Sequence, residues 1–432
     1  MASKAGTITP LKMARKPRVI IIGGGFGGIA AARALRNADA EILLIDRRNH
    51  HIFQPLLYQV ATSVLSSAEV AAPIRELEVR QKNLSVLLAE VTGANLTERT
   101  IDAVAPAGEA RRIGFDHLIV ATGSIPSYFG HDELVSHAPS LKNLNHAERI
   151  RTKILVAFER AAATSDEGER ERCMTFVLVG AGATGVELAA SLADLAKSTL
   201  RRNFRYINPA DARIVLLDGA DRILPSFSMQ ASDAVAIRLK KLGVEVVTGV
   251  KVETVDENGV VAGGNHISSA TVLWTAGVVA SPIPRMLGIP TDHAGRALVD
   301  PFMRVAPHVF VIGDAASITQ GQHPVPGVAQ AAIQQGRYVG RLIAKELIGR
   351  TVETTFRYFD LGNMAVVGKN YAVLQRGSLH ASGILTWLLW AFVHILTLPR
   401  LQNRFRVQNQ WLWSYLTRQR SSRLIREEPG PT

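Results

Sequence analysis

Near its start the chain reads Val19-Ile20-Ile21-Ile22-Gly23-Gly24-Gly25-Phe26-Gly27-Gly28, an apolar run that leads into a cluster of glycines. The apolar run is typical of a buried parallel strand, and an alanine-rich stretch follows the glycines. Gly23, Gly25 and Gly28 match the GxGxxG pattern. The first glycine makes the strand-to-helix turn, the second lets backbone amides approach a pyrophosphate, and the third allows close helix packing. These residues therefore predict a dinucleotide-binding βαβ unit.

A second copy of this pattern lies in the middle of the chain. There Val177-Leu178-Val179 leads into Gly180-Ala181-Gly182-Ala183-Thr184-Gly185, again ahead of an alanine-rich stretch. Strand-like runs alternate with helical stretches at Val19 to Ile22, Ile42 to Ile45, His117 to Ala121, Phe176 to Val179, Ile214 to Leu217 and Val309 to Ile312. This alternation predicts an α/β fold with parallel sheets, and the repeated unit predicts two dinucleotide-binding domains.

Each glycine loop is followed by a strand that ends in an acidic residue. Asp46 comes 18 residues after Gly28, and Asp218 comes 33 residues after Gly185. A carboxylate at this place can accept hydrogen bonds from ribose hydroxyls, and it would repel a 2′-phosphate. Asp218 therefore favours NADH over NADPH, although the nearby Arg222 weakens that preference.

The cysteine count excludes several kinds of redox protein. The single cysteine, Cys173, rules out an intramolecular disulfide, a CxxC pair and a cysteine-built zinc or iron–sulfur site. Electron transfer by such a chain needs a bound organic cofactor. Electrons must then leave that cofactor directly for a diffusible acceptor.

The net charge of +12 arises mostly at the two ends of the chain. Residues 1–18 carry five basic and no acidic residues, and residues 400–432 carry seven arginines against two glutamates. The nearly neutral body between them argues against a nucleic-acid-binding domain. Four of the five tryptophans lie between residues 387 and 413, close to the C-terminal charge. An anionic membrane surface is therefore the expected partner.

The C-terminal region contains two candidate membrane-surface helices. The stretch from Ile384 to Leu398 has no charged residue, but as a helix it would extend only about 23 Å, short of the roughly 30 Å of a hydrocarbon core. A slightly polar stripe runs along it, formed by Thr386, Trp390, His394 and Thr397. A second amphipathic stretch carries Trp411, Leu412, Tyr415 and Leu416, with Arg418 and Arg420 following as candidate lipid contacts. We expect both to lie in the interface; the alternative is a buried or dimer-forming helix.

Further motifs resemble those of flavoprotein reductases with two dinucleotide-binding domains. Val309-Phe310-Val311-Ile312-Gly313-Asp314 is an apolar strand that ends in Gly-Asp, and Ala121-Thr122-Gly123 closes an earlier strand. In that superfamily the aspartate of Gly-Asp contacts the ribityl chain of FAD. The resemblance implies that the first glycine loop holds FAD and that the second holds NADH.

Three stretches narrow the resemblance to the type II NADH dehydrogenases, which are single-subunit NADH:quinone oxidoreductases. They are His51-Ile52-Phe53-Gln54-Pro55-Leu56-Leu57-Tyr58-Gln59-Val60-Ala61-Thr62, Val328-Ala329-Gln330-Ala331-Ala332-Ile333-Gln334-Gln335-Gly336 and the tail from Trp387 to Ile425. The resemblance implies that hydride passes from NADH to FAD and that two electrons then reach membrane ubiquinone or menaquinone, without proton pumping. Another NAD(P)H-dependent flavin reductase of this architecture, or a flavin-bound NADH sensor, are the alternatives.

The resemblance also assigns the site residues. FAD is expected at Gly23, Gly24, Gly25, Phe26, Gly27, Gly28, Asp46, Arg47, Val91, Ala121, Thr122, Gly123, Gly313, Asp314 and Ala329. NADH is expected at Gly180, Gly182, Thr184, Gly185, Glu187, Asp218, Ala276 and Gly277, and quinone at Gln330, Gln334, Gln335 and Lys369. No metal site is expected.

Three of these residues carry an additional argument. Gln330 and Gln334 are four residues apart, so they share one helix face and can offer amide donors to one carbonyl-bearing ligand. Glu187 resembles a catalytic or proton-handling glutamate of the family, although a carboxylate there also favours a helix N-terminus. Lys369 can place a cation near a quinone oxygen or can be a solvated surface lysine.

These patterns predict two Rossmann-like domains in a glutathione-reductase-like architecture. The expected order is a basic extension (1–18), the first part of an FAD-binding domain (19–140), an NADH-binding domain (141–290), the second part of the FAD-binding domain (291–355) and a membrane-associating region (356–432). Residues 1–18 contain no apolar segment typical of a secretory signal. We therefore expect a homodimeric peripheral protein on the cytoplasmic face of a bacterial inner membrane.

Overall fold

The computed structural model describes residues 15–351 and 353–425. Parts of both basic ends, residues 1–14 and 426–432, therefore lie outside the described residues. The chain divides into two compact units. Unit one comprises Met1–Asn49, Ile74–Gly123 and Ser281–Tyr358, and unit two comprises His50–Pro73, Ser124–Ala280 and Phe359–Thr432.

The described residues form the following secondary structure. The strands are β1 (Arg18–Ile22), β2 (Glu41–Asp46), β3 (His50–Ile52), β4 (Ala71–Pro73), β5 (Leu84–Leu88), β6 (Glu90–Asn95), β7 (Thr100–Val104), β8 (Ala110–Gly114), β9 (His117–Val120), β10 (Ser124–Pro126), β11 (Thr175–Val179), β12 (Arg213–Leu217), β13 (Val244–Val247), β14 (Val252–Val255), β15 (Gly259–Ala262), β16 (Asn265–Ser268), β17 (Thr271–Trp274), β18 (Val278–Ala280), β19 (Ala297–Leu298), β20 (Arg304–Ala306), β21 (Val309–Val311), β22 (Ala316–Ser317), β23 (Thr319–Gln320), β24 (His323–Pro324), β25 (Asn363–Val366), β26 (Ala372–Arg376) and β27 (Leu379–Gly383). The α-helices are α1 (Phe26–Ala34), α2 (Leu57–Ala61), α3 (Ser67–Val70), α4 (Glu76–Arg80), α5 (Leu144–Ala163), α6 (Glu167–Met174), α7 (Ala183–Asp194), α8 (Met229–Lys241), α9 (Ile283–Met286), α10 (Ala329–Glu346), α11 (Ile384–Thr397) and α12 (Leu401–Thr417).

Unit one is built on a six-stranded sheet with the order β20-β21-β9-β1-β2-β5. All neighbours pair in parallel except β20 and β21. The strands are apolar because both faces of the sheet are buried, and Ile20 and Ile21 of β1 are fully inaccessible. Helix α1 packs against α10, where a Cβ added to Gly336 would lie only 2.2 Å from the carbonyl oxygen of Gly27. Glycine at position 336 therefore permits direct backbone contact between the two helices.

Unit two repeats this plan. Its four-stranded parallel sheet has the order β13-β12-β11-β17, which corresponds to β5-β2-β1-β9 of unit one. In each unit a three-stranded antiparallel sheet precedes the last of these strands, formed by β6-β7-β8 in unit one and by β14-β15-β16 in unit two. The predicted α/β fold with a duplicated dinucleotide-binding unit is confirmed, and the six strands predicted in the sequence end within one residue of the observed ones.

The boundaries of the units differ from those expected for the domains. They fall after Gly123 and after Ala280 rather than at 140 and 290, and strand β10 pairs with β18 just inside unit two. Residues 50–73, expected within the FAD-binding domain, pack in unit two. There the hydroxyl of Thr62 is hydrogen bonded to that of Ser191 at 2.7 Å. Contacts between residues so far apart along the chain leave no local signal in the sequence.

The C-terminal part of unit two is an antiparallel sheet, β25-β26-β27, followed by helices α11 and α12. Thr386 and Trp390 of the predicted polar stripe face inward and are 4% and 3% exposed. The opposite face of α11 exposes large apolar side chains, namely Ile384, Leu385, Leu388, Leu389, Phe392, Val393 and Leu396. None of the helices in the described residues combines the length and apolar character needed to cross a bilayer.

Candidate functional site

The two glycine loops have the same backbone geometry. Gly23 and Gly180 both have a φ of +106°, a region that favours glycine. The N–H of Gly23 donates to the carbonyl oxygen of Ile45 at 2.8 Å, and that of Gly180 donates to Leu217 at 2.7 Å. Each loop thus leaves its strand through the same turn.

The last glycine of each loop stands where no side chain fits. A Cβ on Gly28 would lie 1.9 Å from the carbonyl oxygen of Gly23, and one on Gly185 would lie 1.8 Å from that of Gly180. Contacts this short require the backbone to move. The close packing predicted from the third glycine is therefore present in both units.

The middle glycine of each loop faces open space. A Cβ on Gly25 or Gly182 would meet no atom within 4 Å. These glycines are the N-caps of α1 and α7, and being glycines they provide no side-chain cap. Backbone N–H groups at the positive end of a helix form a cradle that fits a pyrophosphate.

The acidic residues are fixed beside the loops. Asp46 accepts a hydrogen bond from the backbone N–H of Gly24 at 2.7 Å, and Asp218 accepts one from Ala181 at 2.5 Å. The other oxygen of each carboxylate accepts the N–H two residues further on, at 2.8 Å. Both acids therefore stand at the strand end where a ribose of a bound dinucleotide would lie.

Most of the other predicted FAD residues follow neighbouring strands of unit one. Ala121, Thr122 and Gly123 follow β9, whereas Gly313 and Asp314 follow β21. Because these strands are parallel to β1, their carboxyl ends share an edge with the first glycine loop. Phe26 and Ala329 begin α1 and α10.

Two further predicted FAD residues lie in different surroundings. The side chain of Val91 is buried in the core of unit one, so only its backbone can contact a ligand. Arg47 is exposed and forms an ion pair with Glu90 at 3.5 Å.

The glutamine motif lies on α10 in unit one. Gln330 and Gln334 are half-buried and one turn apart, as the spacing predicts. Gln335 is buried, and its Oε1 accepts a hydrogen bond from the backbone N–H of Gly313 at 2.6 Å. Its amide oxygen thus supports the Gly-Asp turn, and the assignment of Gln335 to the quinone group stays a prediction.

The predicted NADH residues lie at one edge of the sheet of unit two. Ala276 and Gly277 follow β17, and the Thr275 hydroxyl donates toward the carbonyl of Gly180 at 2.7 Å. Thr184 is exposed in the first turn of α7. Their assignment to NADH stays a prediction from the resemblance.

Unit two also contains a cavity of about 100 Å³. Its lining includes Tyr58, Glu187, Lys369, Trp387, Trp390 and Trp411. Three tryptophans from the tail therefore meet a carboxyl group, an amine and a phenol in one space. Sites for drug-sized ligands typically enclose about 300–1,000 Å³, so this smaller space suits a single planar ring between aromatic walls and converging polar groups.

Glu187 projects into this cavity from α7. Burial raises the pKa of its carboxyl group to about 8, although the backbone N–H of Val366 donates to Oε1 at 3.2 Å. A neutral carboxyl at pH 7 can donate a hydrogen bond or a proton. This geometry gives Glu187 a chemical capability beyond stabilising a helix end.

Asp194, at the end of α7, joins two basic side chains at the cavity. Its carboxylate lies 3.2 Å from the guanidinium of Arg420 and 3.8 Å from Nζ of Lys369. Lys369 is half-buried, and burial lowers its pKa. It is therefore a cavity residue rather than a solvated surface lysine.

Arg420 does not serve as the predicted lipid contact. It is 3% exposed and donates to the backbone carbonyl oxygens of Thr62 at 2.7 Å and Ser191 at 3.1 Å. Arg418, the other arginine of that prediction, is exposed. Arg420 is buried because the tail beyond α12 turns back onto α7.

Replacing Arg420 by alanine should destabilise unit two by about 3–5 kcal/mol, as expected when one partner of a buried ion pair is removed. Asp194 and two backbone carbonyls would lose their donor. Thermal unfolding of purified protein measures this loss, with the exposed Arg406→Ala as the control from the same tail. Equal unfolding midpoints for the two variants would contradict the expectation.

Cys173 has a structural environment. Its thiol is buried and donates to Glu169 at 3.2 Å, and burial raises its pKa to about 11. A thiol held in its neutral form is a poor nucleophile. In the described part of the chain, no three His, Cys, Asp or Glu side chains are grouped as metal ligands.

Several residues that line the cavity could not be identified from the sequence. Tyr58 and Gln59 belong to a stretch that resembles the family, but nothing in their spacing indicated a site. Asp194 and Arg420 are 226 residues apart, so their pairing has no signal in a single sequence.

Comparison with known proteins agrees with this geometry. Residues 17–336 match the pyridine nucleotide-disulphide oxidoreductase family. The chain is 40% identical over 427 residues to the type II NADH:quinone oxidoreductase Ndh of Mycobacterium tuberculosis, covering 96% of this chain and 91% of the relative. A second Mycobacterium tuberculosis relative, the type II NADH:quinone oxidoreductase NdhA, is also 40% identical, with the same coverage.

A solved structure shares the fold. NDH2 from Plasmodium falciparum in complex with NADH superposes with a TM-score of 0.85 at 20% identity, covering 96% of this chain and all of that one. At this identity the likeness concerns the fold alone. The sequence matches, however, span nearly the whole chain, and they establish that the chain belongs to the pyridine nucleotide-disulphide oxidoreductase family and, within it, to the type II NADH:quinone oxidoreductases.

Proposed function

We propose that this chain oxidises NADH and reduces quinone at a membrane surface, with FAD as its cofactor. The observation that carries the proposal is the presence, in a member of this family, of two matched dinucleotide cradles. One cradle serves a resident cofactor and the other serves a dinucleotide substrate. The absence of a cysteine pair from the sequence leaves a diffusible molecule as the electron acceptor.

The cradle of unit one fits FAD. The backbone N–H groups at the start of α1 would hold the pyrophosphate, Asp46 the ribose and Asp314 the ribityl chain. When bound, FAD supplies an acceptor for hydride and a donor of two electrons. The protein residues bind and orient it.

The cradle of unit two favours NADH over NADPH. Asp218 stands where a 2′-phosphate would be repelled. Arg222, the candidate to offset that repulsion, donates to Phe227 at 2.8 Å, to Ser232 at 2.7 Å and to Pro225 at 2.8 Å. Its guanidinium is thus occupied by its own loop and by the start of α8, which supports the preference for NADH.

The cavity of unit two is our proposed quinone site. Trp387 and Trp390 would hold the ring, and Glu187 would hold a proton for the oxygen that gains electrons. Lys369 would favour negative charge on that oxygen. The part of Gln330 and Gln334 in quinone binding stays a prediction from the family resemblance.

The activity is tested on purified protein by identifying its flavin and measuring two half-reactions in rapid mixing without oxygen. NADH should bleach the flavin, and a ubiquinone or menaquinone analogue should restore its colour. If NADH bleaches the flavin but neither quinone restores it rapidly, the quinone reductase assignment fails. Restoration only by a protein acceptor would favour another reductase.

Gln334→Ala should lower quinone turnover about 10-fold, as the loss of one hydrogen bond to a ligand predicts. The rate at which NADH bleaches the flavin should stay within about twofold, since each half-reaction uses its own contacts. Arg337→Ala, at an exposed position on α10, is the control. Equal losses in both half-reactions would count against a quinone-binding role for Gln334.

The exposed apolar face of α11 supports attachment to an anionic membrane surface. Leu385 and Phe392 are 78% and 60% exposed, and the exposed Arg406 and Arg418 belong to the same tail. Apolar side chains beside arginines are typical of helices that lie in the interface.

The double substitution Leu385→Gln and Phe392→Gln should weaken binding to anionic lipid vesicles at least about 100-fold, because it removes two buried apolar side chains from the bound state. Co-sedimentation measures this. Met229→Gln with Ile237→Gln, two exposed apolar positions on α8, is the control. Unchanged sedimentation of the α11 variant would contradict membrane attachment by this face.

Three finer expectations from the sequence stay predictions. They are a homodimer, a position on the cytoplasmic face of a bacterial inner membrane, and catalysis without proton pumping. Gel filtration in detergent tests the first. Translocation of protons across the membrane of sealed vesicles that contain only this protein and quinone, driven by added NADH, would contradict the last.

A further inference from the structure

A chain of hydrogen bonds in unit two ends at the proposed quinone cavity. The indole Nε1–H of Trp411 donates to Oε1 of Gln59 at 2.7 Å. Nε2 of Gln59 donates to the hydroxyl oxygen of Tyr58 at 2.9 Å. Gln59 and Tyr58 are 6% and 5% exposed, so water does not compete for these bonds. All three residues line the cavity.

The chemistry of the groups fixes the direction of this chain. An indole N–H can only donate, so the atom of Gln59 that faces Trp411 must be the amide oxygen. The amide nitrogen then faces Tyr58, and since it also can only donate, the Tyr58 oxygen must accept. The hydroxyl proton of Tyr58 consequently points away from Gln59. Among the described residues no acceptor receives it.

Tyr58 therefore presents a donor to the cavity. Burial and the carboxyl of Glu187 raise the pKa of its phenol well above 10, so the proton is retained. A buried donor without a partner is costly, and a carbonyl-bearing ligand in the cavity would satisfy it.

We propose that Tyr58 donates a hydrogen bond to a carbonyl oxygen of the quinone, and that Gln59 and Trp411 act as positioning residues that aim its hydroxyl. The inference rests on the proposed function and adds a specificity determinant to the same site. It also links that determinant to α12, the helix that carries Trp411. A ligand of similar shape without the carbonyl would leave Tyr58 unpaired and would bind less well.

The test measures equilibrium binding of a quinone analogue by calorimetry as well as the two half-reactions. Tyr58→Phe should raise the Kd for the analogue about 10-fold, as loss of one hydrogen bond predicts. Gln59→Glu should do the same, because a carboxylate accepts from both neighbours and turns the Tyr58 proton away from the cavity. Trp411→Phe should raise the Kd less, about threefold. Without the indole N–H, the side-chain amide of Gln59 can rotate so that its oxygen faces Tyr58 in part of the molecules. NADH should bleach the flavin at an unchanged rate in all three.

The decisive measurement is the Kd of the analogue for the protein that carries both Tyr58→Phe and Trp411→Phe. If Trp411 acts only by aiming Tyr58, then Trp411→Phe should add nothing in a Tyr58→Phe background. Additive effects would overturn the inference, because they indicate that Trp411 acts by packing. Trp413→Phe, at an exposed position on α12, is the control.

Two other outcomes separate this inference from the proposed function. If the unaltered protein binds the analogue and Tyr58→Phe binds it equally well, only the role of Tyr58 fails. The role of Tyr58 also fails alone if Tyr58→Phe changes the pH dependence of turnover but leaves the Kd of the analogue unchanged. That result would indicate that the Tyr58 hydroxyl donates to Glu187 rather than to the quinone. If the unaltered protein neither binds the analogue nor reduces it, the proposed function itself fails.

Discussion

Protein carrying Gly28→Ala should purify without bound flavin, whereas protein carrying Gly185→Ala should purify with flavin that NADH fails to bleach. The added methyl group would lie 1.9 Å from a backbone carbonyl oxygen in the first case and 1.8 Å in the second. Neither contact can be relieved by a side chain, so each glycine loop must distort. Overpacking of about 3 kcal/mol corresponds to a loss of affinity of more than about 100-fold.

Flavin content by absorbance and NADH affinity by titration measure these effects. Gly25→Ala separates binding from folding, because its methyl group enters open space that a pyrophosphate would occupy. It should lose flavin, and its unfolding temperature should equal that of the unaltered protein from which flavin has been removed. Gly114→Ala, a roomy glycine elsewhere in unit one, should keep flavin. Loss of flavin by Gly185→Ala with retention by Gly28→Ala would reverse the assignment of the two loops.

Glu187→Gln should lower quinone turnover at neutral pH about 100-fold, the usual effect of losing a positioned proton donor. The amide keeps the hydrogen bond from Val366 but cannot release a proton at neutral pH. In the unaltered protein turnover should decline above pH 8, because the pKa of the carboxyl is about 8. That decline should be absent from the residual activity of the variant.

The same substitution has a predicted effect on stability. The pKa of Glu187 rises from an ordinary value of 4.5 to about 8 on folding. Between these two values the unfolded chain releases a proton that the folded chain retains, so the free energy of unfolding falls as pH rises through this window. The loss is on the order of 5 kcal/mol.

Glu187→Gln should remove that loss and should unfold at higher denaturant concentration than the unaltered protein at pH 7. Denaturant unfolding at pH 5, 7 and 8 measures the difference, which should grow with pH. The exposed Glu159→Gln is the control for the loss of a glutamate. The role given to Glu187 would be contradicted if the Glu187→Gln variant turned over quinone at the wild-type rate at neutral pH. It would also be contradicted if the stability difference between the variant and the unaltered protein did not depend on pH.

The parts of the fold that rest on local patterns could be predicted from the sequence. An apolar run, a glycine turn and a following acid lie within a few dozen residues in each unit, and they specify the same βαβ element wherever they occur. Asp46 and Asp218 consequently take the places that their spacing indicates. The shared face of Gln330 and Gln334 follows from helical periodicity in the same way.

Features that depend on distant contacts could not be predicted. Gln335 belongs to the same motif as Gln334, but one residue further along a helix points about 100° away, in this case toward Gly313. Arg420 follows an amphipathic segment, so its sequence context indicated lipid. Its partner on α7 becomes visible only when the chain is folded. The membership of residues 50–73 in unit two has the same cause.

The wall of the unit two cavity has a practical consequence for inhibitor discovery. Trp387, Trp390, Trp411 and Arg420 all come from the last part of the chain, so a protein shortened at its C-terminal end would lack them. A shortened protein would keep both glycine loops and could still react with NADH. Compounds selected against the shortened protein would bind a cavity that has lost its tryptophan side chains. Screens should therefore use the full-length enzyme in detergent or lipid, where tail and cavity stay together.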